Sequence, residues 1–327
     1  MKKLDFVIAW VDGSDENHRL KRQQFQPENV VKGAAEDTRF AHNDEIYFSI
    51  ASILKYVPYC GTIYIITDHQ QPSFVGEFEA QGLCRSGQIQ VVDHQEIFRN
   101  YQQYLPTFNS LSIESMLWNI KGISNHFIYL NDDFFFNQQS DLSDFLIDGQ
   151  MVIYGHWQAT LIKKMKYIFR KFLQQNFGMV AEAKYSTAQM LSADRVGMTR
   201  YYEIHHRPHI LSRDLLSTYF KNNKELLDQQ IQFKFRNIDQ LLPVGLSNHL
   251  AIQSDQAILK DDIDIAYLKD GRDLEKFILA LSNSEIKFGC IQSLDQLESL
   301  AEGRIRAALI QKFTGFLPSQ IQPTTVV

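Results

Sequence analysis

Four short apolar runs punctuate the first part of this chain, and a polar turn ends the outermost two: residues 4–11 (LDFVIAWV), 62–67 (TIYIIT), 89–92 (IQVV) and 127–130 (FIYL). Runs this short and this rich in β-branched and aromatic side chains read as buried strands of a layered sheet. Between them the pattern turns helical. Asn43 or Asp44 can cap a helix over 45–56, where Ile46, Ile50, Ile53 and Leu54 keep helical spacing and Pro58 stops the run. Asn109 or Ser110 starts another to about 120, ended by Gly122. Strand, helix, strand, strand, helix, strand is the rhythm of an α/β fold whose sheet has parallel members, with mainly helical additions in the C-terminal half. Ligands of such sheets bind at the carboxyl ends of the strands.

The chain has 327 residues, enough for one large α/β domain with insertions or for two average domains. Its 44% hydrophobic and 22% charged shares support a sizeable core and exclude bulk disorder. An aromatic share of 12% suits deep ring packing and a sugar- or base-stacking site. A net charge of −5 argues against wrapping nucleic acid, and none is expected as a partner. Cys60, Cys84 and Cys290 show neither a disulfide framework nor zinc spacing, which fits a reducing compartment. Met1-Lys2-Lys3 runs at once into Asp5 and Asp12 and reads as a first strand, and no apolar stretch reaches the ~20 residues that span a bilayer.

Residues 16–42 are polar, a loop with some helix. From 149 to 181 there is no acidic residue, yet Lys163, Lys164, Lys166, Arg170 and Lys171 fall here. Leu161, Ile162, Met165, Ile168, Phe169, Phe172 and Leu173 make one helical stripe beside them. Two readings of 161–173 stand side by side. The helix lies on an anionic membrane as a peripheral contact, or its stripe packs on the sheet while the cations bind a polyanionic glycan. Further helices are expected over 214–220, 223–232, 274–281 and 294–313. The organisation is a catalytic α/β unit over 1–255, with a basic amphipathic insertion near 157–185, and a segment over 256–327 that packs on it.

Asn131-Asp132-Asp133 closes the fourth run. Adjacent carboxylates at a strand's carboxyl end suit a hard divalent cation, Mg²⁺ or Mn²⁺, against a diphosphate; the bland alternative is a capped turn. Asp12-Gly13-Ser14-Asp15 closes the first run with oxygens and a close-approach glycine, as a nucleotide site needs, although Asp-Gly turns end many strands. The helix opened by Asn109 offers N–H groups to an anion or is simply capped. His205-His206-Arg207-Pro208-His209 suits a general base or phosphate contact, with a polar surface loop at equal weight. His18, His69, His94, His126 and His249 read as structural or exposed.

Taken in order, these pieces resemble the Stealth family of bacterial capsular polysaccharide hexose-1-phosphate transferases, related to the animal lysosomal-enzyme N-acetylglucosamine-1-phosphotransferase. The first block is Phe6 through Asp15 (FVIAWVDGSD). The second runs from Arg39 through Asn43, Glu45, Ser49, Ser52-Ile53 and Lys55-Tyr56 to residues 63–68. The third joins residues 105–110, Ile113-Glu114 and 127–133, and the fourth His206-Arg207-Pro208-His209 and Phe235-Arg236. Phe316-Leu317-Pro318-Ser319 resembles the usual family ending. Ala41-His42 stand where the family pattern has an Arg-Asp pair.

The resemblance implies a nucleotide-sugar-transferase-like sheet and transfer of a sugar with its phosphate from a UDP-sugar, UDP-N-acetylhexosamines among the candidates, to an oligosaccharide or lipid-linked glycan hydroxyl. UMP leaves and a phosphodiester remains. It implies Asp132 and Asp133 as ligands of Mg²⁺ or Mn²⁺, Arg236 and Arg39 on the non-bridging oxygens, and Asn109 as a neutral donor. His206 comes first as acceptor of the proton, with Asp133 or Asp12 second. Asp12, Gly13, Ser14, Arg39, Asn43 and His209 would contact donor or nucleotide. The expected location is the cytoplasm, at the inner face of the bacterial inner membrane. Three rivals stay open: a metal-dependent glycosyltransferase releasing UDP, a phosphodiester hydrolase, and a non-enzymatic assembly adaptor.

Overall fold

Phe6, Val7 and Ile8 are all fully buried, so strand β1 (Leu4–Ala9) needs cover on both faces and a neighbour on both edges. It has both in the computed structural model, which describes residues 3–26, 43–179, 183–292 and 294–321. β1 pairs in parallel with β2 (Cys60–Thr67) on one side and with β4 (His126–Asn131) on the other. β3 (Ile89–Asp93) adds in parallel outside β2, and His209–Ser212 closes the far edge antiparallel to β4. Asp5 anchors the centre, accepting Thr62 N–H at 2.9 Å through Oδ1 and Ser124 N–H at 2.8 Å through Oδ2. The chain moves outward from β1 to β2 to β3, then returns to β4 across β1. The reversal opens a crevice beyond the carboxyl ends of β1 and β4.

Just past β4, the buried strand β5 (Phe134–Phe136) joins a second sheet with Phe288–Ile291, antiparallel, and Ala266–Leu268. The Phe135 and Phe136 rings pack among Phe6, Phe277, Phe288 and Phe313, while Phe134 meets the His206 ring edge-on at 6.2 Å. The Glu45–Tyr56 helix lies over β5, and Ser52 Oγ accepts Phe136 N–H at 2.9 Å. Gly289 is required where Phe135 crosses it, since a Cβ there would sit 2.1 Å from the ring. A further small sheet joins Gln150–Tyr154 with Ala257–Lys260, and His156–Ala159 pairs antiparallel with Arg200–Glu203 across two intervening helices.

The sequence pattern and the structure part company in several places. The helix expected to 120 stops at Glu114, where the Ser115 hydroxyl bonds back to Leu111 O at 2.7 Å, and a 3₁₀ turn follows at Leu117–Asn119. The run expected over 294–313 divides into a 3₁₀ turn at Leu294–Gln296 and a helix over Ser299–Lys312. Glu16–Phe25 is a helix capped by Asp15, while 27–42, with Arg39, Ala41 and His42, lie outside the described residues. The Thr160–Phe177 helix does not lay its stripe on a sheet: its large apolar side chains face outward. All three cysteines are free thiols. Among the described residues no helix is long and apolar enough to cross a membrane.

Candidate active site

A cavity of about 690 Å³ occupies the crevice at the β1 and β4 ends, within the range of small-molecule sites. Trp10 and Val11 beyond β1, Asn131 to Phe134 beyond β4, His206 and His209, and Arg236 all line it. The local fold explains how residues so far apart in the chain meet there.

The acidic turn is pinned from both sides. β4 ends at Asn131 and β5 begins at Phe134, leaving only Asp132 and Asp133 to turn the chain. Asp133 O accepts Ile291 N–H at 2.8 Å, and Asp133 Oδ2 accepts the Cys290 thiol at 3.5 Å. Asp133 Oδ1 is buried with no hydrogen-bond partner among the described residues. Burial pushes the Asp132 carboxyl up to about 8, helped by the neighbouring Asp133 charge. Asp133 is pushed up to about 7, again by burial first, with Glu45 adding to it. Glu45, in the first turn of its helix, lines the same cavity and is raised to about 8 by burial and by Asp132. These carboxylates, one with an orphaned oxygen, offer the oxygen chemistry a hard divalent cation takes, but the three do not converge within 4.8 Å of one another.

Arg236 reaches the cavity from a loop laced onto the 107–112 segment. Its Nη2 and Nε donate to Ser110 Oγ at 2.7 and 3.2 Å. Phe108 N–H donates to Lys234 O at 2.9 Å, and the Phe108 and Phe235 rings stack 5.5 Å apart. Asn109 supplies the knot. Its Nδ2 donates to Phe233 O, Phe235 O and Gln240 Oε1, and its Oδ1 accepts Leu111 N–H as a helix cap. With every polar atom engaged and no exposure, Asn109 lies behind the cavity wall and ties down the loop that carries Arg236. The helix it caps is one turn long, Ser110–Glu114.

The His-rich segment also divides. His206 lines the cavity, its ring stacked on Tyr185 at 5.1 Å and on Tyr267 at 6.1 Å. Burial first, then His205 and Arg236, hold its imidazole below the ordinary value, so it is neutral at pH 7. Arg207 turns away and is buried, donating to Tyr154 O at 2.9 Å over the Tyr154 ring. His209 starts the edge strand, and its cavity-wall ring is pushed well down, chiefly by burial, with an unpartnered Nε2 among the described residues.

Asp12, Gly13 and Ser14 stand beyond the wall rather than in it. Asp12 Oδ1 is engaged by Ser14 N–H and Ser14 Oγ at 2.9 and 2.6 Å. Asn43 N–H donates to Glu45 Oε2 at 2.6 Å, and Asn43 O accepts from Arg306 at 2.7 Å, so Asn43 braces Glu45. Residues given no site role from the sequence also line the cavity: Glu45, Glu114, Tyr185, His18 and His94. Glu114 is buried beside Arg236 and pushed up to about 7 by burial. Glu45 was signalled by its place in the first turn after Asn43-Asp44, whereas nothing local marks Tyr185. Two tighter groups of ligand-type side chains lie apart from the acidic turn. In Asp68, His69 and Asp93, Lys21 already holds Asp68 at 2.7 Å. In His156, His205 and Asp262, His156 pairs with Asp262 at 2.5 Å.

Residues 39–153 match the model of the family described as Stealth protein CR2, conserved region 2. The capsular polysaccharide phosphotransferase cps1A of Actinobacillus pleuropneumoniae is 39% identical over 145 residues, 43% of this chain and 38% of that protein. The exopolysaccharide phosphotransferase SCO2592 of Streptomyces coelicolor is 30% identical over 271 residues, 82% of this chain and 27% of that protein. The chain belongs to the Stealth family. This Stealth chain also matches the Neisseria meningitidis capsular polysaccharide phosphotransferase LcbA, 41% identical over 137 residues, 41% of the chain and 35% of LcbA. Its matches thus span well under half the length of these relatives. Among solved structures, the bifunctional glycosyltransferase WbbM aligns over 96% of the Stealth chain and 50% of its own, at 9% identity and a TM-score of 0.45. Mouse xyloside xylosyltransferase 1 aligns over 89% and 98%, at 9% identity and a TM-score of 0.38.

Proposed function

We propose that the chain transfers a hexose-1-phosphate from a UDP-sugar to a glycan hydroxyl, in the assembly of a capsular or similar surface polysaccharide. The observation that carries the reading is the shared cavity of Asp132, Asp133 and Arg236, carboxylates for a cation on one wall and a guanidinium for phosphate oxygens on another. Asp132 and Asp133 would hold the Mg²⁺ or Mn²⁺ ion, with Glu45 beside them, and that ion's contribution is to offset diphosphate charge. Arg236, steadied by Ser110, orients the non-bridging oxygens, and Arg39, given the same role by the family resemblance, lies outside the described residues. The acceptor oxygen forms a bond to the phosphorus that carries the sugar, and the bond from that phosphorus to the UMP oxygen breaks. The acceptor proton passes to the neutral His206 imidazole. Positioning and charge neutralisation supply most of the rate in such a transfer.

The test is the identity of the released nucleotide. Purified chain incubated with a panel of UDP-sugars, Mg²⁺ and a short glycan primer releases UMP and leaves a phosphodiester in the glycan. Release of UDP with a glycosidic bond would make it a glycosyltransferase, and acceptor-independent release would make it a hydrolase.

A further inference from the structure

We infer that the Thr160–Phe177 helix is an interfacial anchor that lies on an anionic lipid surface, an inference independent of the reaction chemistry. Leu161, Ile162, Met165, Ile168, Phe169 and Phe172 are each exposed, from 52% at Phe172 to 67% at Leu161, and Phe177 and Met179 continue the exposed apolar surface. At 100° per residue those six fall within an arc of about 120°. A face so apolar and so exposed over one helix is unusual for the surface of a water-soluble chain.

The opposite side fixes the helix to the body. Tyr167 Oη donates to Asp239 Oδ1 at 2.7 Å, Lys171 pairs with Asp239 at 2.9 Å, Lys164 with Asp194, and Lys163 with Tyr201 and Glu203. These contacts hold the polar side inward and aim the apolar arc out, so the stripe is not a core face that failed to find its partner. Lys164 and Lys171 flank one border of the arc, while Lys166 and Arg170, which carry no ion pair among the described residues, flank the other.

Charge decides the occupant. No acidic residue lies on the helix, nor anywhere from 149 to 181. A second copy of this face would bring the bordering Lys166 and Arg170 against their like, whereas an anionic headgroup layer complements them and takes the apolar arc into its acyl boundary. Ala183, Lys184 and Tyr185, just beyond the helix in sequence, line the cavity. The helix is thus followed in sequence by part of the cavity wall.

Vesicle flotation of the full chain tests this. The native chain floats with phosphatidylcholine vesicles doped with phosphatidylglycerol at low salt, stays down with pure phosphatidylcholine, and is released as salt rises. Replacing Leu161, Met165, Phe169 and Phe172 together by Ser abolishes flotation while leaving the melting temperature and circular dichroism unchanged. Lys166→Gln with Arg170→Gln weakens partitioning roughly tenfold or more. A native chain that ignores anionic vesicles overturns the inference. So does a stable dimer that the four serines dissolve, or binding to a soluble polyanionic glycan that the serines leave intact.

Discussion

The thiol of Cys290 donates to the Asp133 carboxylate across 3.5 Å, joining two residues that stand 157 positions apart. The Phe288–Ile291 strand is thus the outer wall of the acidic turn as well as a pairing partner of β5. The carboxylates are held by strands on both sides before any ligand arrives, which lowers the reorganisation a bound diphosphate would demand.

Asp132→Asn and Asp133→Asn each lower turnover by roughly a thousandfold. Neither lowers the melting temperature, because each removes a carboxylate that burial and its neighbours already disfavour. Chelation abolishes turnover and added Mg²⁺ or Mn²⁺ restores it. Full activity in excess chelator would remove the cation from the account.

His206→Ala lowers kcat while leaving donor affinity nearly unchanged, as loss of a proton acceptor should. With its imidazole held below 6.5, the base form persists at neutral pH, so the acid limb of the rate profile lies below pH 6.5 and the variant lacks it. A variant that loses donor affinity at unchanged kcat would make His206 a binding residue.

Asn109→Ala strands the Phe235 carbonyl, leaves Phe233 O to the Thr107 and Ser112 hydroxyls, and removes a helix cap. It destabilises the fold by roughly 2–4 kcal/mol, measured by urea denaturation. Activity falls through loosened placement of Arg236, seen as a raised KM for the UDP-sugar. Unchanged stability with lost turnover would return Asn109 to the reacting groups.

Gly289→Ala sets a methyl 2.1 Å from the Phe135 ring position and costs roughly 1–3 kcal/mol as the ring is displaced. Adding Phe135→Leu recovers part of that loss. If the two substitutions are simply additive, the ring and the glycine are not in the contact described.

Acid weakens the fold through two buried imidazoles. His249 Nε2 accepts Tyr202 N–H at 2.9 Å, Nδ1 lies 2.6 Å from Gly245 O, and burial lowers its pKa to about 4; His94 is lowered to about 4 by burial as well. A lowered folded value means the unfolded chain takes up protons first as pH falls. The contribution is therefore complete above pH 6.5 and is lost between pH 6.5 and about 4, roughly 3 kcal/mol for each ring. Denaturation midpoints across that window measure it.

The parallel strands and the Glu45–Tyr56 helix were legible because each obeys a local rule: short β-rich runs, one apolar helical face, a cap and a proline stop. Other elements are not written locally. The Pro243–Gln253 helix is buried nearly all round and so shows no polar face. His209–Ser212 is a strand only because β4 offers it an edge. Asp132, Asp133, His206, His209 and Arg236 could be named from residue type and order, and they share one cavity. The separation of His206 from Arg207, and the engagement of Asn109 behind the wall, depend on strand register and on a loop more than a hundred residues away.

The passage of the Phe135 ring over Gly289 has a consequence for the newborn chain. Residues 288–291 emerge from the ribosome more than 150 positions after Asp132 and Asp133. Until they do, β5 has an open edge, the Asp133 carbonyl and carboxylate lack their Ile291 and Cys290 partners, and the aromatic layer beneath them is incomplete. The acidic turn is therefore finished only once the 288–291 strand has been made, and a growing chain carries no braced pair of carboxylates before that point.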